Sequence, residues 1–526
     1  MSLRFSASNG ATPATGLRAS AAELADAHGL LLVDLSSVEI EAEATGEIPV
    51  RILEEVEAVP YRFNGDRLRV AIADPGNLAA VDQLRLASRH PLELVVAPVN
   101  QIRNELRRVI ARSPNLNLPP IQLDADVVED GGGAVVVDEE SVQVRLVDSI
   151  ITRAVESRAS DVHFVPTGDS LAVRIRVDGV VHELERIPNA EAPGVVSRLK
   201  VLAKLDIAEH RRPQDGRLSL KPEGRRELDI RVAVLPTVAG EGVVLRLLEK
   251  ARSAPTLSDI GLSFQMQMDI ERLNHTSLGA FLVTGPTGSG KSTTLYAALD
   301  DINRPGINVI TVEDPVEYRL PEIFQVEVHP RAGLTFAGAL RGILRADPDV
   351  IMIGEIRDAE TAGIALEAAL TGHFVLSTLH TNDPPSALTR LIDIGVQPHL
   401  ASAAVTAVLT QRLVRRVCTD CRVPVEATED RLLTIGYSEA QIARGVTMFE
   451  SRGCDTCSEG FHGRVGIFQL MLMNDELAEL TTQRPSRETL ARAAADAGMR
   501  SLREDGLDKV ARGLTTLDEL DRALPA

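Results

Sequence analysis

The 526-residue chain contains no tryptophan, and its aromatic residues amount to only 3%. Its core must therefore be built from Ala, Val, Leu and Ile, and the aromatic platforms on which single-stranded nucleic acid stacks would be sparse. Positive charge is in deficit as well. With 56 basic against 75 acidic residues the balance is −19, a field that repels nucleic acid and anionic lipid unless a local basic patch overrides it. No apolar run reaches the roughly 18 residues that a bilayer span requires. The start, Met1 to Ser20, lacks the charged-then-apolar pattern of a secretory signal, so a cytoplasmic location is expected. Cysteine is limited to four residues, all between Cys418 and Cys457, too few for a disulfide scaffold of this size.

What is present fits a folded protein of several domains. Charged residues make up 25% and hydrophobic ones 44%, and at about 150 residues per domain the length suggests three to four units. Residues 1–112 read as a small α/β domain, with helix-like Ala21 to His28, an apolar run Leu30 to Leu35, and strands at Tyr61 to Phe63 and Leu68 to Ala73 around the turn Asn64-Gly65. Residues 113–140 carry Pro114, Pro119 and Pro120, a dense set of acids and three successive glycines. Such a stretch buries too little apolar area to offset its ordering entropy and reads as a flexible acidic linker. Residues 141–250 follow with a helix at Val144 to Ser157 and a hairpin signal at Asp178-Gly179 between strand-like runs. In 251–415, apolar strands at Phe281 to Thr284, Val309 to Val312, Val350 to Ile353 and Phe374 to Thr378 alternate with helix-length stretches. That alternation implies a parallel sheet covered on both faces.

Directly after the first of those strands stands Gly285-Pro286-Thr287-Gly288-Ser289-Gly290-Lys291-Ser292-Thr293, which satisfies the phosphate-loop pattern in its proper strand-to-helix setting. The glycines let backbone amides curl around phosphates, Lys291 would reach the β- and γ-phosphates, and the Ser292 hydroxyl would ligate Mg2+. Two acidic clusters follow at the carboxyl ends of later strands, where ligands of parallel sheets bind. One is Glu313-Asp314-Pro315-Val316-Glu317, the other Gly354-Glu355. A carboxylate there can hold the metal's water shell or take a proton from attacking water, a role open to Glu355 or Glu317. Asp358 suits a helix cap better. His380, at the ligand end of a strand, could sense the γ-phosphate, whereas His373 reads as a packing or subunit-contact residue.

Cys418-x2-Cys421 and Cys454-x2-Cys457 form two knuckles with 32 residues between them. Two knuckles complete a closed tetrahedral Zn2+ site, and the long gap means that a subdomain rather than one loop joins them. A redox pair and an iron–sulfur cluster are the alternatives.

Taken in order, Gly285 to Thr293, Thr311 to Glu317, Gly354-Glu-Ile-Arg-Asp358 and Thr371-Gly-His373 through Thr381 resemble the Walker A, Asp box, Walker B and His box of secretion ATPases. The chain resembles, more narrowly, the extension motors of type IV pilus assembly and their type II secretion homologues. That resemblance implies a RecA-like P-loop core in 251–415, a PAS-like α+β second domain in 141–250, an amino-terminal α/β docking domain in 1–112 and a zinc-bearing subdomain in 416–526. It also implies ATP as substrate, with Glu313 and Asp314 among the nucleotide-binding residues, and a homo-hexamer working at the inner membrane against a platform protein. Arg217 and Arg231 match positions from which the family brings arginines to the γ-phosphate. Gly16-Leu17-Arg18 does not match the cyclic dinucleotide motif of some members, so no such regulation is expected. The competing readings are a nucleic-acid translocase of RecA-like fold, which the charge and aromatic content disfavour, and a slow regulatory nucleotide-binding module, which the acids oppose.

Overall fold

The computed structural model describes residues 21–524 except 36–37, 39, 50–51, 54–55, 100, 103–104, 107–141, 221–227, 250–254 and 455. Gly16 to Arg18 and the acidic stretch 113–140 lie outside the described residues. No helix among the described residues is long and apolar enough to cross a membrane.

A small sheet of order β1-β2-β3 comprises β1 (Ala58–Asn64), β2 (Arg67–Ile72) and β3 (Leu92–Val96). β1 and β2 form the hairpin expected at Asn64-Gly65, and β3 adds in parallel after the helix Leu78–Ala87, which Asn77 caps by accepting from the Ala80 amide. Leu30 to Leu35 is no strand. Only an isolated bridge joins Leu32 to Val96.

The second sheet is wholly antiparallel, of order β6-β5-β4-β9-β8-β7. Its strands are β4 (Ala159–Pro166), β5 (Ser170–Val177), β6 (Val180–Pro188), β7 (Gln214–Leu220), β8 (Leu228–Thr237) and β9 (Gly240–Glu249). The helices Val142–Glu156 and Ala192–Leu202 cover one face, where Val147, Ile150 and Leu199 pack on Phe164, Ile230 and Leu245. Alternate residues point to the opposite, polar face.

The third sheet has the order β12-β11-β13-β14-β10-β15-β18. It is built from β10 (Gly279–Thr284), β11 (Val309–Glu313), β12 (Phe324–Glu327), β13 (Val350–Ile353), β14 (Phe374–Leu379), β15 (Val405–Val417) and β18 (Phe461–Leu472). All neighbours are parallel except β15 and β18. Every residue of β10, β13 and β14 is buried, as helices on both faces require. The far end of the long antiparallel pair β15–β18, covered by the helices Leu502–Ala511 and Leu517–Ala523, carries the cysteine knuckles with the short pair β16 (Arg422–Val425) and β17 (Met448–Ser451).

Candidate active site

The phosphate loop leaves β10 and enters the helix Lys291–Ile302. Gly285 has φ +144° and a Cβ there would lie 2.5 Å from the carbonyl oxygen of Gln411, while Gly290, the helix N-cap, has φ +88°. Only glycine suits both places. Lys291 is buried, and its Nζ donates to the carbonyls of Gly285 (2.9 Å) and Pro286 (3.1 Å). Burial lowers its pKa, against the pull of Glu355. Thr287 and Gly288 are exposed at the loop tip, and Ser292 and Thr293 are half-buried in the first helical turn. Together the loop amides and the helix N-terminus form an anion cradle.

A residue that sequence reasoning missed braces this cradle. Gln411 on β15 donates through Nε2 to the Ser289 carbonyl (2.7 Å), and its Oε1 accepts from Thr294 (2.8 Å). β15 lies beside β10 in the sheet, and no sequence motif announced that adjacency.

The acids divide into two kinds. Glu313 is 4% exposed and accepts from Thr311 Oγ1 (2.5 Å), Gln325 Nε2 (3.2 Å) and the Tyr296 hydroxyl. It stands in a closed polar knot beneath the site. Tyr296 in turn accepts from the amides of Glu317 (3.2 Å) and Tyr318 (3.4 Å). Asp314 is exposed. Glu317 is solvent-accessible yet crowded, and desolvation raises its pKa with help from Glu313, while Arg231 and Arg246 act to lower it. Glu355 accepts from Arg357 and lies 3.5 Å from His380 Nε2. Burial would raise its pKa, but the Arg357 bond and the His380 field outweigh burial and hold it below the carboxylate range. Asp358 caps the helix Ala359–Leu370 by accepting from Thr361 N. His373 lies with Nδ1 3.1 Å from the Ala368 carbonyl, at the end of β14 remote from Glu355.

The second sheet presents its polar face to Glu317 and to Glu327 of β12. Arg217 Nη2 lies 3.9 Å from Glu327, and Arg231 is held below its ordinary pKa first by burial and then by Arg217. Arg246 was not singled out from sequence. It could have been found by counting outward from the Val238-Ala239 turn, which sets it opposite Arg231. At the other side of the phosphate loop, Asp178 of the second sheet accepts from Gly463 N (2.8 Å) and lies 3.6 Å from Arg464 Nε. There a cavity of about 250 Å3 lies among Thr287, Ser289, Arg412, Arg464 and Asp178.

The four cysteine sulfurs lie within 4.8 Å of one another, with Cys418 to Cys454 and Cys421 to Cys457 both at 3.8 Å. Four thiolates around Zn2+ at ~2.3 Å would stand ~3.8 Å apart. The donor set fits that ion.

A family model described as type II/IV secretion system protein matches residues 136–522. The chain belongs to this family. A further model, the MshEN domain, matches residues 28–115. The type IV pilus assembly ATPase PilB of Myxococcus xanthus is 41% identical over 514 residues, covering 94% of this chain and 89% of its own length. The type II secretion system protein E of Xanthomonas campestris is 39% identical over 497 residues, 92% and 88%. Among solved structures, the Legionella pneumophila ATPase DotB overlays with a TM-score of 0.53 at 21% identity, covering 72% of this chain and 94% of that one, a likeness of fold alone. The chain is accordingly an ATPase with an α/β core.

Proposed function

We propose that this secretion-family ATPase works as a homo-hexameric motor at the cytoplasmic face of the inner membrane, driving assembly of type IV pilus or type II pseudopilus subunits against a membrane platform protein. The observation that carries the reading is the meeting of two chemistries across one cleft. The phosphate loop with Glu355 stands on one sheet, and Arg217 and Arg231 of another sheet lie beside Glu327 and Glu317 of that first sheet's edge. An arginine that reaches a transferring phosphoryl group from a separate domain ties closure of that domain to chemistry.

In this reading the amides from Gly285 to Gly290 hold the triphosphate and Lys291 exchanges its two carbonyl partners for phosphate oxygens. Mg2+ would be held by the Ser292 hydroxyl, with Glu355 placed to hold the metal's water shell, and would supply charge neutralisation between phosphates. Glu355 accepts the proton of the attacking water once Arg357 releases it, and Glu317 orients or relays that water. His380 reports the γ-phosphate through Glu355. Asp314 belongs to the same nucleotide site, and Glu313 serves it from beneath by fixing Tyr296. Zn2+ would be held by Cys418, Cys421, Cys454 and Cys457 and would supply a structural clamp, since four thiolates leave no open position. The antiparallel sheet with its two helices serves as the PAS-like second domain of 141–250, and residues 1–112 serve as the docking domain.

The test is turnover. Glu355→Gln should bind Mg–ATP as wild type does and lose about 10²–10⁴-fold in kcat, while Lys291→Ala should lose binding. Intact turnover in Lys291→Ala would refute the assignment of the site.

A further inference from the structure

β15 and β14 flank β10, and the register sets Thr410 and Leu379 on either side of Thr284, the last residue before the phosphate loop. Strands spaced by about 4.8 Å put β15 and β14 about 10 Å apart. One pair of side chains spans that gap. Arg412, half-buried and just past this row on β15, donates through Nη2 to Oδ1 of Asn382 (3.0 Å), which stands on the loop after β14. Along the way Arg412 shares a cavity wall with Pro286, Thr287 and Ser289 at the root of the phosphate loop.

Arg412 differs from the other arginines of that cavity. Arg464 stands 3.6 Å from Asp178 and Arg522 donates to Glu519 at 2.9 Å. Arg412 has no carboxylate within ion-pair distance among the described residues, and its buried Nε has no partner. A guanidinium withdrawn from solvent is normally paired with an acid, so a bond to a neutral amide serves position rather than charge balance.

Asn382 follows closely on His380, whose Nε2 is 3.5 Å from Glu355. The far side of this loop is tied down by Asp383, which accepts from Ser386 N at 2.9 Å and from Arg487 Nε at 2.8 Å. Thr381 bonds within the loop, to the Asp383 carbonyl at 3.3 Å. On the side toward the phosphate loop, the tie among the described residues is the Arg412 bond.

We propose that Arg412 is a positioning residue: bound to Asn382 across the root of the phosphate loop, it sets where His380 stands against Glu355. This rests on the reading that Glu355 takes the proton of the attacking water and that His380 acts through Glu355. An anion entering the phosphate loop draws the unpaired guanidinium toward itself, and the Asn382 bond passes that movement on to His380.

The experiment uses the full chain, with steady-state kinetics, Mg–ATP binding and melting curves for each variant. Arg412→Met keeps an unbranched stem without donors. It should lose about tenfold in kcat, the size of one lost charge-assisted bond, with KM and Kd for Mg–ATP within about twofold of wild type. Arg412→Lys can still donate to Asn382 and should recover most of the loss. Asn382→Ala should repeat the Arg412→Met result, and because Asn382 is exposed it decides the matter should Arg412→Met fail to fold. The Arg412→Met, Asn382→Ala double variant should lose no more than either alone, and Arg412→Met should add nothing in a His380→Gln background, as expected of residues acting in one chain. Additive losses overturn the proposal, and so does a folded Arg412→Met or Asn382→Ala protein of wild-type kcat. A Kd raised about tenfold with kcat unchanged overturns it too, because Arg412 would then be a nucleotide ligand. If His380→Gln keeps wild-type kcat, the reading of Glu355 and His380 fails and the proposal with it, whereas a kcat lost in His380→Gln but kept in Arg412→Met fails the proposal alone.

Discussion

The Tyr296 hydroxyl donates to the buried carboxylate of Glu313 and accepts from the amides of Glu317 and Tyr318. Tyr296 lies five residues beyond Lys291 on the helix that the phosphate loop opens. The position of that helix is thus passed by one phenol to the loop that carries Glu317.

Removing the phenol oxygen should uncouple the two. Tyr296→Phe leaves Glu313 and two amides short of a partner, a loss of about 1–3 kcal/mol in stability for buried groups. Turnover should drop about tenfold with the KM for ATP little changed, because the loop amides that bind phosphate are untouched. Denaturant unfolding and steady-state kinetics check both halves, and a Tyr296→Phe protein of wild-type kcat would break the link.

Glu317 gives a pH dependence whose sign follows from its surroundings. Desolvation and Glu313 raise its pKa, so it takes up a proton at a higher pH than an ordinary glutamate. If its ionised form serves catalysis, kcat/KM falls as pH drops through that raised value, and Glu317→Gln loses both about 10²-fold in activity and this acid limb. Stability runs the other way. A raised folded pKa means that the folded state binds the proton more tightly, so the cost of ionised Glu317 is present above that pKa and relieved below it. Glu317→Gln should therefore melt no lower than wild type at pH 7.5, an outcome that pH-resolved kinetics and melting curves test together.

The knuckles predict separable unfolding. Metal analysis should return about one Zn2+ per chain, and chelation or Cys454→Ser should melt the region around β16 and β17. Mg–ATP affinity should stay within about twofold, since Lys291 and the phosphate loop rest on β10, Gln411 and the buried strands rather than on the sulfurs. Loss of nucleotide binding on chelation would contradict this division.

The parts legible in the sequence were those with local signatures. Gly285 to Thr293 announces its loop, the apolar runs of β10, β11, β13 and β14 announce buried parallel strands, and Cys418 to Cys457 announces its donor set. What escaped depends on distant pairing. From sequence β7 has no assigned element because Asp215, Gly216 and Arg217 leave it little apolar periodicity, and its strand form comes from pairing with β8 at the sheet edge. Gln411 became a brace only because β15 lies beside β10. Glu313, read beside Asp314 as a nucleotide ligand, is drawn inward by Thr311, Gln325 and Tyr296, two of which lie more than ten residues away.

The Asp178 hairpin touches Gly463 and Arg464 on β18, and Arg217 touches Glu327 on β12. β12 and β18 are the two outermost strands of the ATPase sheet. The second sheet is therefore moored at both margins of the first, like a bridge deck resting on two piers. The Arg217–Glu327 contact is long and exposed while the Asp178 contacts are short, so a domain shift that broke the first and kept the second would turn the second sheet about the cysteine end.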